Sequence, residues 1–175
     1  LSNLEADFSI LSTIQKTLRK GNWKVTCAVY NDKKSNKSNI VEIWPGYYEG
    51  SIYGMAVDLG STTIAAHLCD LQTGEVIASS GSMNPQIRFG EDLMSRVSYS
   101  MMNAEGDQEM TSAVRAGMND LFSEVAKEAK INSNLIMDAV FVCNPVMHHL
   151  FLGIDPFELG QAPFALATSN AVATN

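Results

Sequence analysis

Apolar positions along this chain change period more than once. Leu4, Phe8, Leu11, Ile14 and Leu18 recur at three- and four-residue steps, which draws one face of a helix. Ser2-Asn3-Leu4-Glu5 matches a capping box in front of that face, and Gly21 offers a stop behind it. Residues 23–30 alternate as a strand, residues 31–39 form a lysine- and asparagine-rich turn, and residues 40–44 read as a second strand closed by Pro45-Gly46. A helix and a hairpin of about 45 residues bury little apolar surface on their own. Residues 1–49 are therefore expected to be the remnant of a small preceding α+β unit.

The pattern shifts at Tyr53. Three strands follow closely, over residues 52–58, 63–70 and 75–80, with Thr73-Gly74 as the tight turn between the last two. A loop at Met83-Asn84-Pro85-Gln86 leads into a helix over residues 91–103, and residues 104–107 break it. A long amphipathic helix is predicted over residues 108–130, with Met110, Val114, Met118, Leu121, Phe122 and Val125 inward. Residues 139–143 form a short apolar run, expected to be a strand buried on both faces. Pro145 opens a last helix that runs to Leu152. The order β-β-β-α-α-β-α predicts an α/β domain with a mixed sheet and helices on its faces.

Composition adds limits. A chain of 175 residues that is 46% hydrophobic and 18% charged is globular. Its net charge of −7 argues against DNA or RNA as a partner. No run approaches the roughly 20 apolar residues of a membrane span, and no signal peptide is recognisable. Cys27, Cys69 and Cys143 are far apart and lack metal-ligand spacing, so buried free thiols in a reducing cytoplasm are expected. The nine methionines read as gap-filling core residues. Leu1 in place of an initiator methionine, and a polar tail over residues 167–175, read as cuts in something longer.

The chemistry-bearing candidates cluster around Tyr-Gly-Met-Ala-Val-Asp-Leu-Gly-Ser-Thr-Thr at residues 53–63. An apolar strand delivers the Asp58 carboxylate to its end. Gly60 lets the backbone turn closely, and Ser61, Thr62 and Thr63 follow with amides and hydroxyls. A carboxylate there could hold Mg²⁺ through water, because magnesium gives up its water reluctantly. Residues 60–63 could donate to phosphates. Two readings fit these residues: a phosphate cradle and a plain hairpin turn.

Asn84, Gln86, Glu91, Asp92, Ser95 and Arg96 form a second polar cluster. Its bland reading is helix capping by Glu91 and Asp92, with Arg96 paired to Asp92 one turn on. Asn144 and Pro145 follow the apolar run, at the strand end where α/β sheets bind ligands. His148 and His149 diverge by about 100° on a helix, which argues against a shared metal. His67 reads as structural. Neither a P-loop, nor a dinucleotide fingerprint, nor a nucleophile elbow is present.

Together these motifs resemble a known family. Residues 53–63 resemble the first phosphate motif of the actin/hexokinase/Hsp70 ATPase superfamily. Asp70-Leu71-Gln72-Thr73-Gly74-Glu75, the run from Asn84-Pro85-Gln86 through Asp92 to Ser95-Arg96, and the run from Asn144 through Met147 and His149 to Pro156 are similar to one branch of it. That branch is the reductive activators of corrinoid proteins. Cys143 stands where the branch usually has glycine.

The resemblance implies a ribonuclease H-like first ATPase lobe at residues 50–175, preceded by the end of a middle domain at 1–49. It implies an ATP- and Mg²⁺-dependent enzyme that returns Co(II) corrinoid to Co(I), with a corrinoid protein of a methyltransferase system as partner. It implies a [2Fe–2S] domain upstream and a second lobe downstream. Asp58, Gly60, Ser61, Thr62 and Thr63 match the phosphate motif, while Asn84, Gln86, Asp92 and Asn144 match branch motifs. Coupling of ATP to an uphill reduction needs two states of different nucleotide affinity, so one lobe alone is expected to be inactive. The alternatives are a sugar-kinase-like or dehydratase-activator ATPase of the same superfamily, and a non-catalytic docking module that uses residues 1–49 and the methionine-rich helix.

Overall fold

The first helix starts at Asp7. In this computed structural model, which describes residues 4–32 and 37–173, the Asp7 carboxylate accepts the Ser9 amide at 3.0 Å and caps α1 (Phe8–Leu11). Leu4–Ala6 is a strand, β1, rather than the first helical turn. The capping box expected at Ser2 lies outside the described residues, and the helix expected from Leu4 yields to strand pairing. A second helix, α2, covers Ile14–Lys20. Phe8 is 87% exposed, and Ile10 is the buried side chain of α1, so the expected inward face fails at Leu4, Phe8 and Leu11, whereas Ile14 and Leu18 are half-buried.

β2 (Val25–Asp32) and β3 (Lys37–Pro45) are antiparallel, and β1 joins the outer side of β3 in parallel, giving the order β1-β3-β2. Contacts divide the chain at this point into two units, Leu1–Ile52 and Tyr53–Asn175.

The second unit is built on a four-stranded mixed sheet. β4 (Tyr53–Leu59), β5 (Thr63–Asp70) and β6 (Val76–Met83) form an antiparallel meander, and β7 (Ile136–Cys143) lies parallel to β4 on its other side. The order is β6-β5-β4-β7. The β5–β6 turn is shaped by Asp70, whose carboxylate accepts the amides of Gln72 and Thr73 at 2.7 and 3.0 Å.

A 3-10 turn at Pro85–Phe89 leads to α3 (Leu93–Met102) and α4 (Gly106–Glu128). α5 (Pro145–Leu152) follows β7 and ends at Gly153, which adopts positive φ. Strand alternation sends Met55, Val57, Leu59, Ile64, Ala66 and Leu68 to one face of the sheet. There they form one core with Met110, Val114, Met118, Leu121 and Val125 of α4 and with Val146, Met147 and Leu150 of α5. Met55, Met110, Met118 and Met147 fill that core as expected, whereas Met94 and Met102 of α3 are exposed.

β7 departs from expectation. It starts three residues earlier than the apolar run, and Val140 and Val142 are 60% and 67% exposed. It lies at the sheet edge with one covered face, because α4 and α5 pack on the core side. A run of apolar residues cannot distinguish this from a strand covered on both faces.

Candidate functional site

The alternation that buries Val57 and Leu59 places Asp58 on the opposite, exposed face of β4, one residue from the strand end. Its register partners are Ala65 on β5 and Val142 on β7. The chain turns back immediately afterwards. A Cβ on Gly60 would sit 2.5 Å from the Thr63 carbonyl oxygen, so this turn admits no side chain at that position. Ser61 is half-buried, and Thr62 and Thr63 are exposed.

The turn is fixed from beneath by the second polar cluster. The Asn84 side-chain amide donates to the Gly60 carbonyl at 2.8 Å, and the Asn84 backbone amide donates to the Thr62 carbonyl, also at 2.8 Å. The Ser61 carbonyl between them accepts from Nη2 of Arg96. Three successive carbonyls are thus tied inward. Asn84 Oδ1 accepts the Gln86 amide at 2.9 Å, and Gln86 Nε2 donates to the Met110 carbonyl of α4 at 2.9 Å. Asn84 and Gln86 are 1% and 0% exposed, so these two residues, expected among the ligand-binding set, spend their side chains on the protein itself.

Arg96 is the residue that sequence reasoning misread. It was expected to pair with Asp92, but its side chain is fully buried and donates from Nε to the Gly90 carbonyl at 3.0 Å. From Nη1 it donates to Gln86 Oε1 at 3.3 Å and to Met147 Sδ at 3.2 Å. Burial pushes its pKa down, opposed by the charge of Asp92. A Cβ on Gly90 would meet Ser95 Cβ at 2.7 Å and the Arg96 nitrogen at 2.8 Å, which is how α3 comes close enough to supply the guanidinium.

Asp92 caps a helix, as its bland reading had it, and Asn144, expected at a ligand-binding strand end, caps one too. Asp92 Oδ1 accepts the Ser95 amide at 2.7 Å and the Ser95 hydroxyl at 3.0 Å, and these bonds, the amide first, hold its carboxyl below the ordinary carboxylate range. Asn144 Oδ1 accepts the Met147 amide at 3.0 Å and caps α5. Cys143, just before it, faces the core side; burial, and then the negative charge of Asp58, push its thiol pKa up. The cysteines are free, but none is fully buried: Cys69 and Cys143 are half-buried and Cys27 is exposed.

His67 Nδ1 bonds the Ser79 hydroxyl at 2.7 Å, a structural role as expected. His149 is buried, with Nδ1 bonded to the Pro145 carbonyl and Nε2 accepting the Ala167 amide, so it has no nitrogen to share with His148.

Among the described residues, no group of three or more His, Cys, Asp or Glu side chains is placed to hold a metal ion. An ion at Asp58 would take its remaining ligands from water and from a bound phosphate. That ligand set suits Mg²⁺, which commonly binds through one or two carboxylates and substrate phosphates. The three cysteines cannot supply the four thiolates of an all-cysteine iron–sulfur cluster. Among the described residues no helix is long and apolar enough to cross a membrane.

A family model described as the RACo middle region matches residues 53–175, and one described as the RACo linker region matches residues 1–50. The chain belongs to the RACo family of corrinoid reductive activators. The names linker and middle fall on the segments expected to be the end of a middle domain and the start of an ATPase lobe. The chain is 34% identical over 116 residues to the corrinoid activation enzyme RamQ of Eubacterium limosum, an alignment that covers 66% of this chain and 20% of that protein. A solved structure, a reductive activator for a corrinoid, iron–sulfur protein, superposes with a TM-score of 0.82 at 32% identity, covering 94% of this chain and 26% of that one. The segment thus spans about a fifth to a quarter of the length of these relatives.

Proposed function

We propose that this RACo segment forms one wall of an ATP site, in a protein that reductively returns Co(II) corrinoid to Co(I) on a methyltransferase corrinoid protein. The observation that carries the reading is the turn at residues 60–62, whose three carbonyls are all drawn inward by Asn84 and Arg96. A loop held in that way keeps its shape when an anion arrives, and preorganised donors are worth more than ones that must be arranged. The sheet order β6-β5-β4-β7, with three antiparallel strands and a fourth parallel to the first, supports a ribonuclease H-like first lobe.

In this proposal Gly60, Ser61, Thr62 and Thr63 face the phosphates and Asp58 holds Mg²⁺ through water. Asn84, Gln86, Asp92 and Asn144 act indirectly, by fixing the loops on which the site stands. The bound nucleotide supplies the free energy that an uphill cobalt reduction needs. Electrons come from a [2Fe–2S] centre elsewhere in the whole protein, which works in a reducing cytoplasm. The segment alone hydrolyses no ATP, because the other phosphate loop and the adenine pocket belong to a second lobe.

The test uses the whole protein with Asp58→Ala. ATP-linked reduction of the corrinoid, followed by cobalt absorbance, should be lost while capture of the corrinoid protein persists. Full activity of that variant would overturn the nucleotide role of Asp58. A docking contribution from α3 is favoured by one observation, the exposure of Met94 and Met102 on its surface. Their joint replacement by glutamine should weaken capture without changing ATP binding.

A further inference from the structure

Arg96 is the largest fully buried side chain of the described residues. Its four acceptors, the carbonyls of Ser61 and Gly90, the Gln86 side-chain oxygen and the Met147 sulfur, are all neutral. Buried guanidinium groups are ordinarily set against carboxylates, because a charge taken out of water is costly unless it is paired. Here the acid that acts on it is Asp92, which is exposed and already engaged with Ser95. The guanidinium cannot shed its proton in a protein. A whole positive charge therefore lies one carbonyl below the Gly60–Thr63 turn, in surroundings that screen it poorly.

We infer that Arg96 is a positioning residue for the phosphates: it fixes the Ser61 carbonyl on the inner side of the turn, and its buried charge is completed by the anion on the outer side. The inference rests on the phosphate reading of residues 60–63 and adds to it a source of charge. The turn itself contains no cation, and backbone amides and hydroxyls offer only partial positive charge. The charge is supplied instead from α3, through a residue that touches no ligand. Arginine suits this place better than lysine, because its planar fork reaches Ser61, Gln86, Met147 and Gly90 at once.

The experiment measures equilibrium binding of Mg-ATP and of adenosine to the whole protein, in the wild type and in Arg96→Met, Arg96→Lys and Asp58→Asn. Arg96→Met should bind Mg-ATP about tenfold more weakly or worse, the equivalent of one charge-assisted hydrogen bond, and adenosine as the wild type does. Arg96→Lys, which keeps the charge and loses the fork, should recover most of the Mg-ATP affinity. It remains informative if Arg96→Met does not fold. Unchanged Mg-ATP affinity in a folded Arg96→Met would overturn the inference. So would equal losses of ATP and adenosine in both Arg96 variants, the mark of a purely structural clamp. If the wild type binds no Mg-ATP, the phosphate reading itself fails. If Asp58→Asn weakens Mg-ATP binding and neither Arg96 variant does, the inference alone fails.

Discussion

The Asn84 side-chain amide bonds the Gly60 carbonyl at 2.8 Å, across 24 residues of sequence. The same nitrogen also faces Met147 Sδ at 3.5 Å, and Asn84 Oδ1 holds the Gln86 amide. Replacing Asn84 by alanine should cost about 1–3 kcal/mol, since it leaves buried backbone groups without partners. Urea denaturation gives that number. Amide hydrogen exchange at Gln86, whose N–H loses its acceptor, should quicken more than exchange at Leu121 in the middle of α4, because the loss is local to the turn.

The cap at Asp92 makes α3 sensitive to acid. Its folded carboxyl titrates below the ordinary carboxylate range because the Ser95 amide and hydroxyl bond its charged form. For a group lowered in this way, the stabilisation is complete above the unfolded value, about 3.9, and disappears as pH falls through the folded value. Thermal unfolding followed from pH 7 to pH 2 should therefore show less loss in Asp92→Asn than in the wild type. Asparagine keeps a capping oxygen that does not titrate.

Asp58 and Cys143 report on one another. Burial and the Asp58 charge both raise the Cys143 thiol pKa, so its thiolate fraction at neutral pH is small. Alkylation by iodoacetamide should label exposed Cys27 well before Cys143. Asp58→Asn should speed labelling of Cys143 and leave Cys27 unchanged. No change at Cys143 would show that burial alone, and not the Asp58 charge, slows its labelling.

His149 ties the stretch beyond α5 to the helix. Its Nδ1 donates to the Pro145 carbonyl at 2.8 Å, which leaves Nε2 to accept the Ala167 amide at 3.1 Å. That is one neutral tautomer. His149→Leu fills the space but removes both bonds. It should cost about 1–3 kcal/mol and expose residues 162–167 to limited proteolysis.

Much of the second unit was legible because its elements obey simple periods. The Asp70 and Thr73-Gly74 turn, the inward face of α4 and the proline-started α5 each depend on residues close in sequence. What failed depended on contacts far along the chain. Leu4–Ala6 keeps helical spacing but is claimed as a strand by Ser38–Ile40. Arg96 has Asp92 one helical turn away, which makes a local ion pair the obvious reading, yet its acceptor Ser61 lies 35 residues back. Asn84 and Gln86 were recognisable as important, but only the placement of Gly60 and Met110 shows that they face inward.

The same long-range anchoring sets an order of assembly. Asn84 and Arg96 both converge on Met147 Sδ, 63 and 51 residues further along the chain. During synthesis the turn at residues 60–62 would leave the ribosome well before the methionine that completes its support. Closing such loops is slow compared with forming a helix. The support of the turn at residues 60–62 is thus completed late, only once α5 has arrived to supply Met147.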